Sequence, residues 1–328
     1  MLFRSAHAQS SSASAEATPK KVAKPKRPPA TDPNKKPALK AKPAADEFDQ
    51  AFILHAYPYK ETSLILETFT RKHGRVSMVA RGAKRPHGAL TSARSPFQPL
   101  NLVWMGKSDL KTLKTAESGA IFPQLQGTAL LSAFYLNELL LKLCAREDPQ
   151  PDLFDAYQAT LQRLIEVHYR SQVAAQTAPA RGLNAQDFAD ADFSDYAAHL
   201  KRTKRAARAG QMQQIAVTLR QFELTLFQHL GYGLNLTVAA HSGLPIVADA
   251  DYCYVVDQGA VSLAHAATRP AHGLQLRGKT LLDIAAVNYE DPTTLQQSKQ
   301  LVRLIINHLL GTQVLHTRSL IAEFAELK

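Results

Sequence analysis

Gly273-Leu274-Gln275-Leu276-Arg277-Gly278-Lys279-Thr280 satisfies the spacing G-x-x-x-x-G-K-[S/T]. In phosphate-binding loops that spacing lets backbone amides and a lysine converge on the phosphates of a nucleotide. The chemistry needs a buried strand running into the loop and a helix leaving it, so that the first amides of the helix face the anion. Leu281-Leu282-Asp283 supplies a helix, but Thr268-Arg269-Pro270-Ala271-His272 is no strand. The one apolar run ending in an acid, Tyr254-Val255-Val256-Asp257, precedes the loop instead of following it. The pattern therefore reads as an ordinary helix start with Thr280 in its first turn. An ATP-dependent enzyme using Gly273–Thr280 is the alternative. Gly106-Lys107-Ser108 lacks the upstream glycine, since Asn101 stands there, and reads as a hairpin turn.

Other catalytic chemistry finds little support. The histidines show no H-E-x-x-H spacing, and His241, Cys253, His265 and His272 are scattered through a loop-rich stretch. Two cysteines, Cys144 and Cys253, provide neither a disulfide framework nor the four ligands of a structural zinc site. No serine nucleophile elbow is present. The expectation is a chain without catalytic residues, metal or cofactor, working in a reducing cytoplasm. No apolar run approaches the ~20 residues that span a bilayer.

Basic residues carry a better-founded chemistry. The formal charge of +11 is unevenly placed: residues 1–46 are net +7, residues 47–122 net +5, and residues 123–328 net −1. Within the second stretch Arg71, Lys72 and Arg75 form one cluster, and Arg81, Lys84 and Arg85 another. Such clusters neutralise phosphates and release counterions, so a nucleic acid is the natural partner. Single-strand binders add aromatic platforms for base stacking. Tyr57, Tyr59, Phe69, Phe97 and Trp104 are available, with Phe69 and Trp104 reading as core.

These residues need elements to hold them. Residues 1–47 are rich in Ala, Ser, Lys and Pro and cannot bury enough surface to offset their ordering entropy, so a disordered basic tail is expected. Five short strand-like runs follow, at 51–54, 63–69, 76–80, 100–105 and 110–115, separated by Gly, Pro or basic turns. They predict an OB-fold barrel over 48–123. From Leu125 the period becomes helical, with a near-continuous apolar helix through Leu130–Leu143, another over 152–165 and a strong one over 212–230 before Gly231. Two more helices fit 281–287 and 293–310. Residues 171–211, including Lys201-Arg202-Thr203-Lys204-Arg205, read as an inserted surface loop or partial helix, and 235–276 as irregular with a strand pair near 252–256. The expected fold class is α+β: a five-stranded barrel, then a mainly helical domain over 124–328.

Tyr59-Lys60-Glu61-Thr62-Ser63-Leu64-Ile65-Leu66 and Thr70-Arg71-Lys72-His73-Gly74-Arg75, continuing to Arg81-Gly82-Ala83-Lys84-Arg85, resemble the RecO recombination mediators. Pro96-Phe97-Gln98-Pro99-Leu100, Tyr135-Leu136-Asn137-Glu138-Leu139, Arg220-Gln221-Phe222-Glu223-Leu224 and Leu230-Gly231-Tyr232-Gly233 extend the likeness in the same order. The resemblance implies binding of single- and double-stranded DNA, annealing of complementary strands, partnership with RecR, and loading of RecA onto DNA coated by single-strand-binding protein. It also implies capture of that protein's acidic, apolar C-terminal tail on the helical domain. Arg220 matches a basic position used there, and Phe222, Leu226 and Phe227 are apolar neighbours suited to such a peptide. Some relatives hold a four-cysteine zinc site after the Leu-Gly-Tyr segment; with only Cys253 there, zinc is not carried over. Such a protein would work in the bacterial cytoplasm at the nucleoid. An RNA-binding OB-fold protein is the remaining alternative.

Overall fold

Leu64 and Leu66 alternate with Ile65 and Glu67, and Val76 and Met78 with Arg75 and Ser77, so each strand carries two chemically different faces. In the computed structural model, which describes residues 47–86, 90–177, 193–264 and 273–320, those faces separate two cores. Strands β1 (Asp49–Tyr59), β2 (Ser63–Thr70), β3 (Gly74–Ala80), β4 (Leu100–Met105) and β5 (Leu110–Ser118) close a barrel in the order β1-β2-β3-β5-β4. All neighbours run antiparallel except β3 and β5. Leu64, Leu66, Val76, Met78, Leu100 and Leu102 fill the barrel. A register shift between Ile53 and His55 bends β1 where it leaves the helical side.

Phe52, Leu54, Phe69 and Phe97 belong instead to the core shared with the helices. These are α1 (Gly127–Leu143), α2 (Pro151–Thr177), α3 (Phe193–His229), α4 (Gly278–Ala285) and α5 (Pro292–Leu310). α1 is central, with Leu136, Leu139 and Leu140 fully enclosed. Phe52 packs on Phe154 and Tyr157 of α2 with ring centroids 5.5 and 5.2 Å apart. A polar thread crosses the same joint: the Tyr157 hydroxyl donates to Asn137 Oδ1 at 2.5 Å, and Asn137 Nδ2 donates to the Leu54 carbonyl at 2.9 Å. Gly74 is obligatory there. Its φ is +67°, and a Cβ would lie 2.0 Å from the Asp148 carbonyl oxygen.

One open alternative is resolved and one expectation is revised. α2 stays helical to Thr177 and α3 begins at Phe193, so the described parts of 171–211 follow the partial-helix alternative and not the loop. Their Ala, Gln, Arg and Lys content favours helix without any apolar period, which is why periodicity missed them. The 235–276 stretch contains a three-stranded sheet, β7 (Gly259–Ser262), β6 (Asp251–Val255) and β8 (Leu274–Arg277) in that order. The start of α5 is capped: Asp291 accepts a hydrogen bond from the Thr293 amide at 2.8 Å, with Pro292 in the first turn. The basic tail lies outside the described residues.

Candidate nucleic-acid interface and peptide groove

The two basic clusters of the barrel part ways. Arg71, in the β2–β3 turn, donates twice to Asp155 of α2, at 2.9 and 2.8 Å. That contact holds the Asp155 carboxyl below its usual range. The Lys72 amide donates to Asp49, and its Nζ donates to the Phe48 carbonyl at 3.0 Å. Arg75 is 9% exposed, donates to the Cys144 carbonyl at 2.7 Å and lies 3.5 Å from Glu67. The Glu147 amide returns a bond to the Arg75 carbonyl. The assignment of this triplet to phosphates is therefore corrected for Arg75, which is closed to a polyanion; Arg71 and Arg75 engage residues of the helical domain, whereas exposed Lys72 bonds to Phe48 and Asp49 on the barrel side. Sequence could not foresee it, because the partners come from distant helices.

Arg81, Lys84 and Arg85 occupy the loop after β3, at the other end of the barrel. Buried Ala83 pins the loop to the barrel core, and the Lys84 amide donates to the Thr62 carbonyl at 2.9 Å. Arg81 and Arg85 are exposed and make no ion pair with a described residue. With Tyr59, Lys60, Thr62, Ser63, Val79 and Gly82 they line an open cleft of about 480 Å³. Lys84 is half-buried and its Nζ donates to the Lys60 carbonyl at 3.3 Å, which ties the two loops together. Lys60 Nζ lies 5.4 Å from the centre of the Tyr59 ring.

Among the aromatics, Tyr57 is 48% exposed and its ring lies 4.3 Å from that of His55 on the outer face of β1. Phe69 and Phe97 are core, and Trp104 is half-buried against His73. Lys60 and His55 were not singled out by sequence. The signal for Lys60 was its place in the hairpin turn preceding β2.

The helical domain holds a second feature, a groove of about 840 Å³ between α1, α3, α5 and the helical residues at 316–320. Ile215, Ala216, Leu219 and Leu295 give it apolar walls, and Arg220, Lys299, Arg303 and Arg318 give it positive charge. Arg220 does reach this groove, although it is 8% exposed and its guanidinium lies 2.9 Å from Glu223 Oε1. The Tyr135 hydroxyl donates to the same oxygen at 2.6 Å. Burial pushes the Glu223 carboxyl up, and the Arg220 charge opposes that shift.

Phe222, Leu226 and Phe227 are 2, 0 and 0% exposed. They pack inward, Phe222 against Tyr157 at 6.2 Å, and their assignment as peptide contacts is corrected. The apolar stripe of α3 was legible; which neighbour covers it was not. Lys299 and Arg303, one turn apart on exposed positions of α5, and Arg318 were missed. The available signal was that pair of cations one turn beyond Leu295.

Arg318 is held in place by its neighbours. The Thr317 and His316 amides and the Thr317 hydroxyl all donate to Glu138 of α1, at 2.9, 2.8 and 2.6 Å. Burial raises the Glu138 carboxyl, but those bonds and Lys142 outweigh it and hold the group at about 2.

Gly273–Thr280 is built as a strand and a helix start with no loop between them. The four residues separating the glycines are β8 itself, so a strand does enter the helix, contrary to expectation. The first amides of α4 are already used: Gly278 N–H donates to the Ala250 carbonyl and Lys279 N–H to that of Ala248, both at 2.8 Å. A Cβ on Gly278 would meet the Val247 carbonyl oxygen at 1.8 Å, so this glycine serves backbone packing. Lys279 Nζ lies 2.5 Å from Asp283 and 3.1 Å from Asp291, and Thr280 Oγ1 bonds Gln297 at 2.5 Å. No phosphate cradle remains. Among the described residues no group of His, Cys, Asp or Glu could hold a metal ion; His265 and His272 lie outside them.

Comparison with known proteins agrees with this architecture. The family described as Recombination protein O N terminal matches residues 47–122, and Recombination protein O C terminal matches residues 124–177. The DNA repair protein RecO of Thiobacillus denitrificans is 42% identical, over 85% of this chain and 93% of the relative. That of Nitrosospira multiformis is 40% identical over 86% and 97%, and that of Burkholderia pseudomallei 38% over 92% and 93%. The chain belongs to the RecO family of DNA repair and recombination proteins.

Proposed function

We propose that this chain is a non-catalytic mediator that binds single- and double-stranded DNA and anneals complementary strands. It also helps load RecA onto DNA coated by single-strand-binding protein, in partnership with RecR, at the nucleoid. The observation that carries the DNA contact is the cleft at the free end of the barrel. Arg81 and Arg85 stand there without acidic partners among the described residues, beside Lys60 and Tyr59, with the Tyr57–His55 pair on the adjoining strand. Exposed cations meet phosphates and open rings meet bases, a combination that suits an unpaired strand.

The groove supports the capture of a tail that is both acidic and apolar. Its walls accept the apolar end, and Lys299, Arg303 and Arg318 meet carboxylates. The Gly278 and Lys279 amides face carbonyls instead of an open phosphate position, which favours a mediator over an ATP-driven enzyme.

Annealing of complementary oligonucleotides, followed by fluorescence on naked and on coated DNA, tests the function. Annealing of both substrates without nucleotide supports it. Dependence on ATP, or a clear preference for RNA at matched salt, overturns it.

A further inference from the structure

We propose that the exposed basic stretch of α3 bearing Arg202, Arg205 and Arg208 is a second phosphate-binding surface, which grips DNA running beyond the barrel cleft. The proposal rests on the DNA-binding reading of the barrel and extends it to a separate element.

α3 is 37 residues long, about 55 Å at 1.5 Å per residue. Its second half is anchored: Ile215, Leu219, Phe222, Leu226 and Phe227 are buried. Among the described side chains, its first half shows no such anchor. Between Arg202 and Gln214, among the side chains described, only Ala207 and Gln211 are even half-buried. A helix solvated on nearly every side draws no stability from packing and depends on the propensity of its residues.

Charge along this arm is not what helix stability would select. Residues 193–211 hold five Lys/Arg and one acid, Asp195, and are net +4, whereas residues 123–328 as a whole are net −1. Like charges three and four residues apart destabilise a helix. Cations are thus concentrated on one element of an otherwise acidic region, at a cost to that element.

Nor does any described residue neutralise those charges. Arg202, Arg205 and Arg208 are exposed and form no ion pair with a described residue. In α2, Asp152 and Asp155 stand in the first turns, and the one acid C-terminal to them, Glu166, is engaged by Arg163 at 3.2 Å and Arg170 at 3.5 Å. Spacing of three residues sets the arginines at steps of about 4.5 Å along the axis, each turned about 60° from the last.

Location separates this surface from the barrel. Tyr157 packs on both Phe222 of α3 and Phe52 of β1, which fixes where α3 passes the joint. Arg205 lies 17 residues before Phe222, about 25 Å along the helix. On this proposal a short strand held in the barrel cleft leaves the arm untouched, and a longer one engages both.

The test measures fluorescence anisotropy of labelled dT8, on the scale of one barrel footprint, and of dT40, at several salt concentrations. The full chain is compared with Arg202→Gln/Arg205→Gln/Arg208→Gln, in which Gln preserves helix propensity, and helicity is checked by circular dichroism. The expected result is unchanged dT8 binding, about tenfold weaker dT40 binding, and a log K against log salt slope reduced by up to about 0.7 per lost contact.

Unchanged dT40 affinity and slope overturn the proposal, and equal losses for both lengths do so too. Arg81→Ala/Lys84→Ala/Arg85→Ala serves as the reference. If that variant loses dT8 while the arm variant loses nothing, the arm proposal fails and the barrel reading stands. If neither variant changes any DNA binding, both fail. If the arm variant loses binding to phosphatidylserine vesicles but not to dT40, the arm is a membrane-facing surface and the proposal is wrong.

Discussion

Arg220 and Glu223 stand one turn apart on α3, and the Arg220 guanidinium meets the buried Glu223 carboxylate at 2.9 Å in the wall of the basic groove. The pair converts what sequence presents as a free cation into half of an internal ion pair. Electrostatic attraction for an acidic ligand then falls chiefly to Lys299, Arg303 and Arg318. Truncating one member of a buried pair leaves the other charge without compensation, at a cost of about 3–5 kcal/mol. Arg220→Ala is expected to lower unfolding stability by that order, and adding Glu223→Gln to recover much of it. Urea denaturation of the single and double variants checks this; equal stability of Arg220→Ala and the wild type would contradict it.

Lys299 and Arg303 are expected to carry the peptide contact. A charge-assisted bond is worth about 1.5–3 kcal/mol, or roughly ten- to a hundredfold in affinity. Lys299→Ala/Arg303→Ala should weaken binding of the single-strand-binding protein tail peptide by that factor while leaving dT8 binding unchanged. Titration of both ligands decides. Undiminished peptide binding would place the tail elsewhere.

Glu138 makes the hold on His316 and Thr317 sensitive to acid. A carboxyl held at about 2 in the fold, against 4.5 as its ordinary value, adds stability above the ordinary value. That stability disappears as pH falls toward 2. Glu138→Gln should therefore destabilise the protein at pH 7, by about 1–3 kcal/mol for bonds to a charged group. The gap between variant and wild type should close as the pH is lowered from 5 toward 2. A gap independent of pH would show that packing, not charge, holds residues 316–318.

Lys279→Ala should leave annealing unchanged, because the Lys279 ammonium is committed to Asp283 and Asp291. Annealing rates with and without ATP check it. A rate that falls with the substitution and depends on ATP would revive a nucleotide site.

The barrel was legible in the sequence because period-two strands and their turns are local signals, and all five strands stand where those signals lie. β8 was not, since a four-residue strand between two glycines looks like a loop. The first half of α3 was missed for the opposite reason: its helix comes from propensity without an apolar face. Site residues divide in the same way. Sequence identified both basic clusters of the barrel but could not separate them, because Asp155, which engages Arg71, lies 84 residues downstream. The stripe of Phe222, Leu226 and Phe227 announced a buried face without saying that Tyr157, and not a peptide, lies against it.

The salt dependence of single-stranded DNA binding tests the central claim most directly, by comparing Arg81→Ala/Lys84→Ala/Arg85→Ala with Arg71→Ala. The cleft variant should bind more weakly, with the slope of log K against log salt reduced by up to about 0.7 per lost contact. Arg71→Ala should keep the wild-type slope, because its guanidinium serves the joint with Asp155. An unchanged slope in the folded cleft variant, or a reduced one in Arg71→Ala, would contradict the assignment of DNA to the free end of the barrel.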